Sequence, residues 1–502
     1  MRLPSTPKAI ALALLAALAS ACSTQLPVET SYLVLASSSV QQDAAWDSIA
    51  HDLCRRHGAE LLYFNEHPED CEEQLRQAAP RYVAIVDMPQ NISDRYVMRL
   101  NRLSRRMDSD IYADWLWGIV TGYDAESAAR MVSNSEEPLV VHDCVSDIME
   151  LQSAKWFDHY AWVDDHVKGK AGEKLSPDDT VRTYMFPFDQ ELEVLSRYIE
   201  DLSPDLIVTA THANYSLLTV PFMPAEQCMF VSDSGVIWKN YGREKTEPVR
   251  FSGKRNVYFP VGNCLIGAIN NNPNSMPPAW IKSANSAAMA GYVVPTWYGR
   301  NGWGALKYWL TTPGRYTLPE AVFLNQQDMM AQMDRWNGAF STIDYPFGEA
   351  DSVSQTDYTD AEFDIAAKRI RAVGVDSVTN DMLGFLYDRD VLVYYGDPLW
   401  NVRLQEIAEE NDYTVSQVRH GKTVTITIKT KENFSLERMK GDHFKEEHVL
   451  DLPFSVFFNQ RLKNPRLADG QTWDAALDEN FLLLYNPDLK PGQTYMVEIV
   501  TD

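Results

Sequence analysis

The sequence predicts an α/β fold, a mostly parallel sheet flanked by helices, followed by a C-terminal all-β sandwich. Two patterns carry that prediction. From Ser31 to about Pro398, short apolar runs of strand type alternate with amphipathic stretches of helix length, which implies parallel pairing with helices on both faces. From Tyr413 onward, strand-type runs succeed one another with turn residues and no helix between them, over about 90 residues, a size that suits a sandwich. A third observation concerns chemistry: two apolar runs of the α/β region end on His212 and Cys264.

The chain begins with Arg2 and Lys8, then an apolar run from Ala9 to Ala19 too short to cross a bilayer comfortably. Small residues stand immediately before Cys22, as in a bacterial lipobox, so residues 1–21 are expected to be a lipoprotein signal and Cys22 the acylated residue. Ordinary signal cleavage, with Cys22 incidental, is the alternative. Ser23 rather than Asp follows, which by resemblance to Gram-negative lipoproteins points to the outer membrane, with acyl chains such as palmitate as the anchor.

Residues 22–150 are expected to be an N-terminal α/β subdomain, with strand-like runs at 32–36, 60–64, 82–87, 116–121 and 139–142. The polar and aromatic stretch 155–179 reads as a long loop. Residues 151–405 form the second subdomain: a strand over 181–186, a helix from 189 to about 201, the run ending in His212, and a hairpin over 228–239 turning at 232–235. The run ending in Cys264 comes next, then an Asn- and Pro-rich loop over 270–278, a helix, a strand over 290–296, and a solvent-facing loop from Trp297 to Trp303. Residues 406–502 make the sandwich, with strands at 423–430, 454–458, 481–485 and 495–500.

With 502 residues, 45% hydrophobic and 11% aromatic, the chain has enough apolar material for real cores. A formal charge of -25 repels phosphate backbones, so no nucleic-acid partner is expected. The ten histidines are scattered and no Cys-x-x-Cys spacing occurs, so neither a metal nor another cofactor is expected. Beyond Cys22 and Cys264, the chain has Cys54, Cys71, Cys144 and Cys228, which an oxidising compartment could join in three ways or leave as four thiols.

His212 and Cys264 lie 52 positions apart, enough chain for a hairpin and another strand, so neighbouring parallel strands could present both at their C-terminal ends, where open α/β sheets place their sites. A thiol beside an imidazole is the minimal nucleophile and base for acyl transfer. Each residue also has an ordinary reading: a small buried hydrophobe for the cysteine, a local hydrogen bond for the histidine.

In order, these runs resemble the caspase and gingipain type of cysteine peptidase. Three further pieces resemble gingipain-like peptidases in particular: 110–122 with 125–128, then 276–280, then 391–398 ending in Gly396-Asp397-Pro398. The likeness covers about residues 80 to 405, and such peptidases often carry an immunoglobulin-like domain where the sandwich is expected. It departs from the family at Ala213, where glycine is usual after the histidine, and at 265–267, where Leu-Ile-Gly follows the cysteine. The resemblance implies His212 as general base and acid, Cys264 as nucleophile, and the N–H groups of Ala213 and Cys264 as oxyanion donors. It makes Trp297 and Tyr298 candidates for substrate contact, with core packing as the alternative. Asp164 and Asp165 are candidates for holding a basic side chain, with solvated loop charge as the alternative. The expected function is a lipid-anchored cysteine peptidase of the bacterial cell envelope acting on a peptide or protein. The alternative is an inactive, peptidase-like surface lipoprotein that binds a peptide or envelope component.

Overall fold

The computed structural model describes residues 24–148, 157–222, 226–242, 244–297, 299–345, 358–404, 412–441 and 451–502. They fall into two compact units, residues 30–404 with 441 and 451 in one, and residues 24–29, 412–440 and 452–502 in the other. Cys22 and Tyr298 lie outside the described residues.

The larger unit is built on a twelve-stranded sheet whose strands are β1 Tyr32–Ser37, β2 Glu60–Phe64, β3 Tyr82–Val86, β4 Leu116–Val120, β5 Asp143–Ser146, β6 His159–Val163, β7 Lys170–Lys174, β8 Arg182–Met185, β9 Leu206–Thr209, β10 Asn256–Pro260, β11 Ser286–Tyr292 and β12 Leu392–Tyr395. Their spatial order is β8-β7-β6-β5-β9-β10-β11-β12-β4-β3-β1-β2. The sheet is mixed. One block, β6 through β11, is parallel throughout, and a second, β12 through β2, is parallel within itself. Where β11 meets β12 the pairing is antiparallel. The start of β12 therefore lies at the edge where β9, β10 and β11 end.

β1, β3, β10 and β11 are buried at every position, as runs of apolar residues covered on both faces by helices should be. Helix α1 Ala44–His57 is capped by Asp43, which accepts from two backbone N–H groups, and ends on Gly58 in the left-handed region. It is followed by α2 Asp94–Leu103, α3 Ala125–Asn134, α4 Glu191–Leu202, α5 Met276–Ser283, α6 Arg300–Thr311, α7 Leu318–Trp336, α8 Tyr358–Ala372 and α9 Asn380–Asp388. Nearly all of α6 is buried, including Arg300, whose Nη2 stands 3.2 Å from Asp328. Helix α7 starts on a reciprocal cap between Thr317 and Glu320.

Several expectations are corrected. The stretch read as a loop over 155–179 contains β6 and β7, an antiparallel pair in which Tyr160 and Trp162 stack, with centroids 5.2 Å apart. Gly172 gives the Trp162 indole its room, since a Cβ there would fall 1.9 Å from the ring. The strand expected over 139–142 is split: Leu139–Val140 pairs with Val402–Arg403 outside the main sheet, and the sheet strand begins at Asp143. The post-cysteine strand ends at Tyr292 rather than 296, and α6 absorbs Trp303.

The second unit holds a five-stranded and a three-stranded antiparallel sheet. Along Thr423–Thr430 the expected alternation is present, with Val424, Ile426 and Ile428 fully buried. They share one core with Phe454, Val456, Leu482, Leu484, Val497 and Ile499, drawn from both sheets. Thr24–Gln25, expected with the α/β subdomain, instead pairs with Tyr413–His420 at this unit's edge.

Candidate active site

β9 and β10 are parallel neighbours in register from Leu206 with Val257 to Thr209 with Pro260, and Val261 N continues the ladder to Thr209 O at 2.9 Å. His212 stands three residues beyond Thr209 and Cys264 four beyond Pro260, so both leave the sheet at the same edge. Ahead of β9, the Asp205 carboxylate accepts from the N–H groups of His142 and Asp143 at 2.9 and 3.1 Å, which fixes β9 against β5.

Three buried side chains then lock the strand ends. The Asn263 amide, fully buried, accepts from the Thr209 hydroxyl at 2.6 Å through Oδ1 and donates through Nδ2 to the carbonyl of Thr211. Asp147, also fully buried, accepts from Ala210 N at 2.8 Å and from the Thr211 hydroxyl at 3.0 Å. Burial pushes its carboxyl up to about 8, against the opposing pull of those two donors. Tyr258 brings its hydroxyl to 3.0 Å from the Thr209 oxygen.

The His212 carbonyl accepts from the N–H and hydroxyl of Thr219, both at 2.9 Å, and Asn214 N donates to Leu217 O. These bonds frame Ala213 opposite Leu218 as a non-hydrogen-bonded pair, which turns the Ala213 N–H out of the hairpin. The His212 imidazole itself is exposed. Past Cys264 the chain turns sharply through Leu265 at φ 58, a left-handed conformation unusual for leucine. Leu265 N bonds Val294 O and Gly267 N bonds Tyr292 O, both at 2.9 Å. Gly267 is required there, because a Cβ would sit 2.7 Å from the Gly291 backbone. The Cys264 sulfur accepts from Thr296 N at 3.2 Å and lies 3.6 Å from Thr296 O. Burial raises the thiol above its ordinary value, outweighing the Thr296 hydrogen bond.

His212 and Cys264 line one pocket of about 330 Å³, with Asp165, Thr211, Phe222 and Thr296 among its other walls. Asp165 thus borders the pocket. Asp164 does not: it is fully buried, accepts from His166 N and Val167 N at 2.9 Å each and pairs with Lys170 at 2.8 Å. Its carboxylate is engaged by its own turn and by Lys170 rather than on the pocket wall. Trp297 is 41% exposed and packs on Phe363, centroids 4.0 Å apart, while Thr296 supplies the pocket wall. The described cysteines, Cys54, Cys71, Cys144, Cys228 and Cys264, are all free thiols. Asn263, Asp147 and Thr296 were not singled out from the sequence; their roles depend on what they face across the sheet edge.

No family model matches the chain, and no curated protein matches it. Among solved structures it superposes on the Arg-specific cysteine proteinase gingipain R at 9% identity, over 95% of this chain and 93% of that one, with a TM-score of 0.41. A complex of Porphyromonas gingivalis RgpB pro- and mature domains aligns at 9% identity over 93% of this chain and 99% of that one, with a TM-score of 0.37. Likeness of that degree carries no argument, and the site stands on its own geometry.

Two outcomes follow from the lock. Asn263→Ala leaves the Thr211 carbonyl without its side-chain donor and the Thr209 hydroxyl with Tyr258 alone, and is expected to cost about 1–3 kcal/mol in urea denaturation. Asp147 keeps its proton to about pH 8 when folded, whereas an unfolded aspartate loses it near ~4. The folded chain binds the extra proton in that window, so this residue's contribution to stability falls as pH rises through it. Denaturation at a series of pH values from 5 to 8 should therefore show Asp147→Asn gaining steadily on the wild type.

Proposed function

We propose that the chain is a cysteine peptidase whose nucleophile is Cys264 and whose general base is His212. The observation that carries this reading is that parallel strands in register lead, three and four residues past their ends, to the two residues, which share one pocket at the sheet edge. In the proposed reaction the imidazole takes the thiol proton, and sulfur attacks the peptide carbonyl. The N–H groups of Ala213 and Cys264 hold the resulting oxyanion. The tetrahedral species then collapses to a thioester, the amine leaves with the proton returned by His212, and water, deprotonated by the same imidazole, releases the acid. Asp165 on the pocket wall suits a basic side chain in the substrate, since a carboxylate pairs well with a guanidinium or ammonium group. The lipobox-like sequence before Cys22 supports an acyl anchor in the outer membrane. Among the described residues, no helix is long and apolar enough to cross a membrane.

A second reading, a peptide-binding lipoprotein that keeps this architecture without turnover, is favoured by the state of the thiol. Burial raises it, and Thr296 is its hydrogen-bond partner.

Hydrolysis of a quenched-fluorescent peptide library decides between them. A peptidase should cleave, preferentially at basic residues, and Cys264→Ala and His212→Ala should each lower the rate at least ~10³-fold with the fold retained. Cleavage that survives Cys264→Ala, or none by the wild type across the library, overturns the proposal.

A further inference from the structure

A second cavity, of about 250 Å³, is walled by Arg102, Arg105, Arg389, Ile111, Met330 and Ile343, with Arg106, Asp110, Ser341, Thr342 and Asp344 completing its lining. It shares no lining residue with the candidate active site. Its polar wall is assembled by Asp390, which is nearly fully buried two residues ahead of β12. Arg102 Nε stands 3.2 Å and Arg389 Nη2 2.9 Å from Asp390 Oδ2, and Arg105 Nη2 reaches Oδ1. Burial alone would raise this carboxyl, but Arg389, Arg105 and Arg102 together hold it far below the usual carboxylate range.

Three guanidinium groups thus gather on a single buried carboxylate, and the lining offsets the other two charges only with the exposed carboxylates of Asp110 and Asp344. The remaining bonds of Arg102 and Arg389 go to carbonyl oxygens, Tyr345 for the first, Ser341 and Ile343 for the second, which satisfy hydrogens but neutralise nothing. Arg106 is spent on Glu69 and Glu72 at 3.1 and 2.8 Å. Asp110 and Asp344 are exposed. The Arg105 side chain is only 8% exposed, and its Nη1 is buried with no hydrogen-bond partner. Arg105 nevertheless lines the cavity, and the planar fork of arginine matches a carboxylate. Met330 and Ile343, both buried, add apolar lining to the cavity.

We propose that this cavity binds a small organic acid, its carboxylate on the Arg105 guanidinium and its apolar body against Ile111, Met330 and Ile343. Site and ligand are independent of the peptidase reading.

The test is thermal denaturation of the full-length chain at pH 7 and constant ionic strength, titrated separately with 3-phenylpropionate and inorganic phosphate. The wild type should show a saturable rise in Tm with 3-phenylpropionate. Arg105→Gln should weaken its apparent affinity at least tenfold. Thr342→Trp fills the cavity from an exposed lining position and leaves every arginine in place, so it decides the matter if Arg105→Gln does not fold. It should abolish the shift. No saturable rise in the wild type, or a rise that persists in Thr342→Trp, overturns the proposal. Saturation by phosphate alone overturns the organic-acid assignment.

Discussion

The site depends on the buried amide of Asn263. It sits next to Cys264, yet both of its hydrogen bonds go to the other strand end, to the Thr209 hydroxyl and the Thr211 carbonyl beside His212. A ladder can hold β9 and β10 in register only while they are strands, and it stops at Val261. Beyond that point the chains would diverge according to their own turns. The amide carries the register two residues further, from Val261 and Thr209 to Asn263 and Thr211, each next to a residue of the proposed chemistry. Because it is fully buried, leaving either partner unmet is costly, so the geometry is held firmly.

Other constraints are arranged around that bridge. Asp147 secures the opposite flank of the His212 strand end from β5, and Thr296 grips the sulfur from the chain after β11. Four consecutive parallel strands of one sheet, β5, β9, β10 and β11, therefore lead into Asp147, His212, Cys264 and Thr296. The left-handed Leu265 and the tight approach of Gly267 to Gly291 turn the chain back under the sheet immediately after the nucleophile position. Strain at a non-glycine residue persists only where the surroundings over-determine it, and here two backbone hydrogen bonds do so. Placing a thiol in this setting has a consequence: burial favours the protonated form, so reactivity would depend on a base rather than on the thiol's own acidity.

Much of the scaffold was legible because buried parallel strands leave a strong trace. The runs at 32–36, 82–87 and 116–121 are almost wholly apolar, and 423–430 alternates at period two. Strand direction left none: nothing in Leu392–Tyr395 reveals that it opposes β11 and reverses half the sheet. The pair β6 and β7 was hidden because its polar residues and Gly172 read as loop, when the glycine is the space that Trp162 fills. Of the site, His212 and Cys264 were legible as reactive residues at strand ends. Asn263 was not, since an asparagine beside a cysteine says nothing about which carbonyl it will meet. Asp164 and Asp165 looked equivalent in sequence, and only the turn closed by Asp164 separates them.

The measurement that bears most directly on the central claim, that His212 serves Cys264 as base, is the pH dependence of iodoacetamide alkylation at Cys264, located by mass spectrometry. The wild type is compared with His212→Ala. Near pH 6 an unassisted thiol raised by burial is protonated and slow to react, whereas near pH 11 hydroxide supplies the thiolate without help. The account predicts that the variant falls at least ~10-fold behind near pH 6 and approaches the wild type near pH 11. Profiles that coincide throughout, both rising only at alkaline pH, would contradict it.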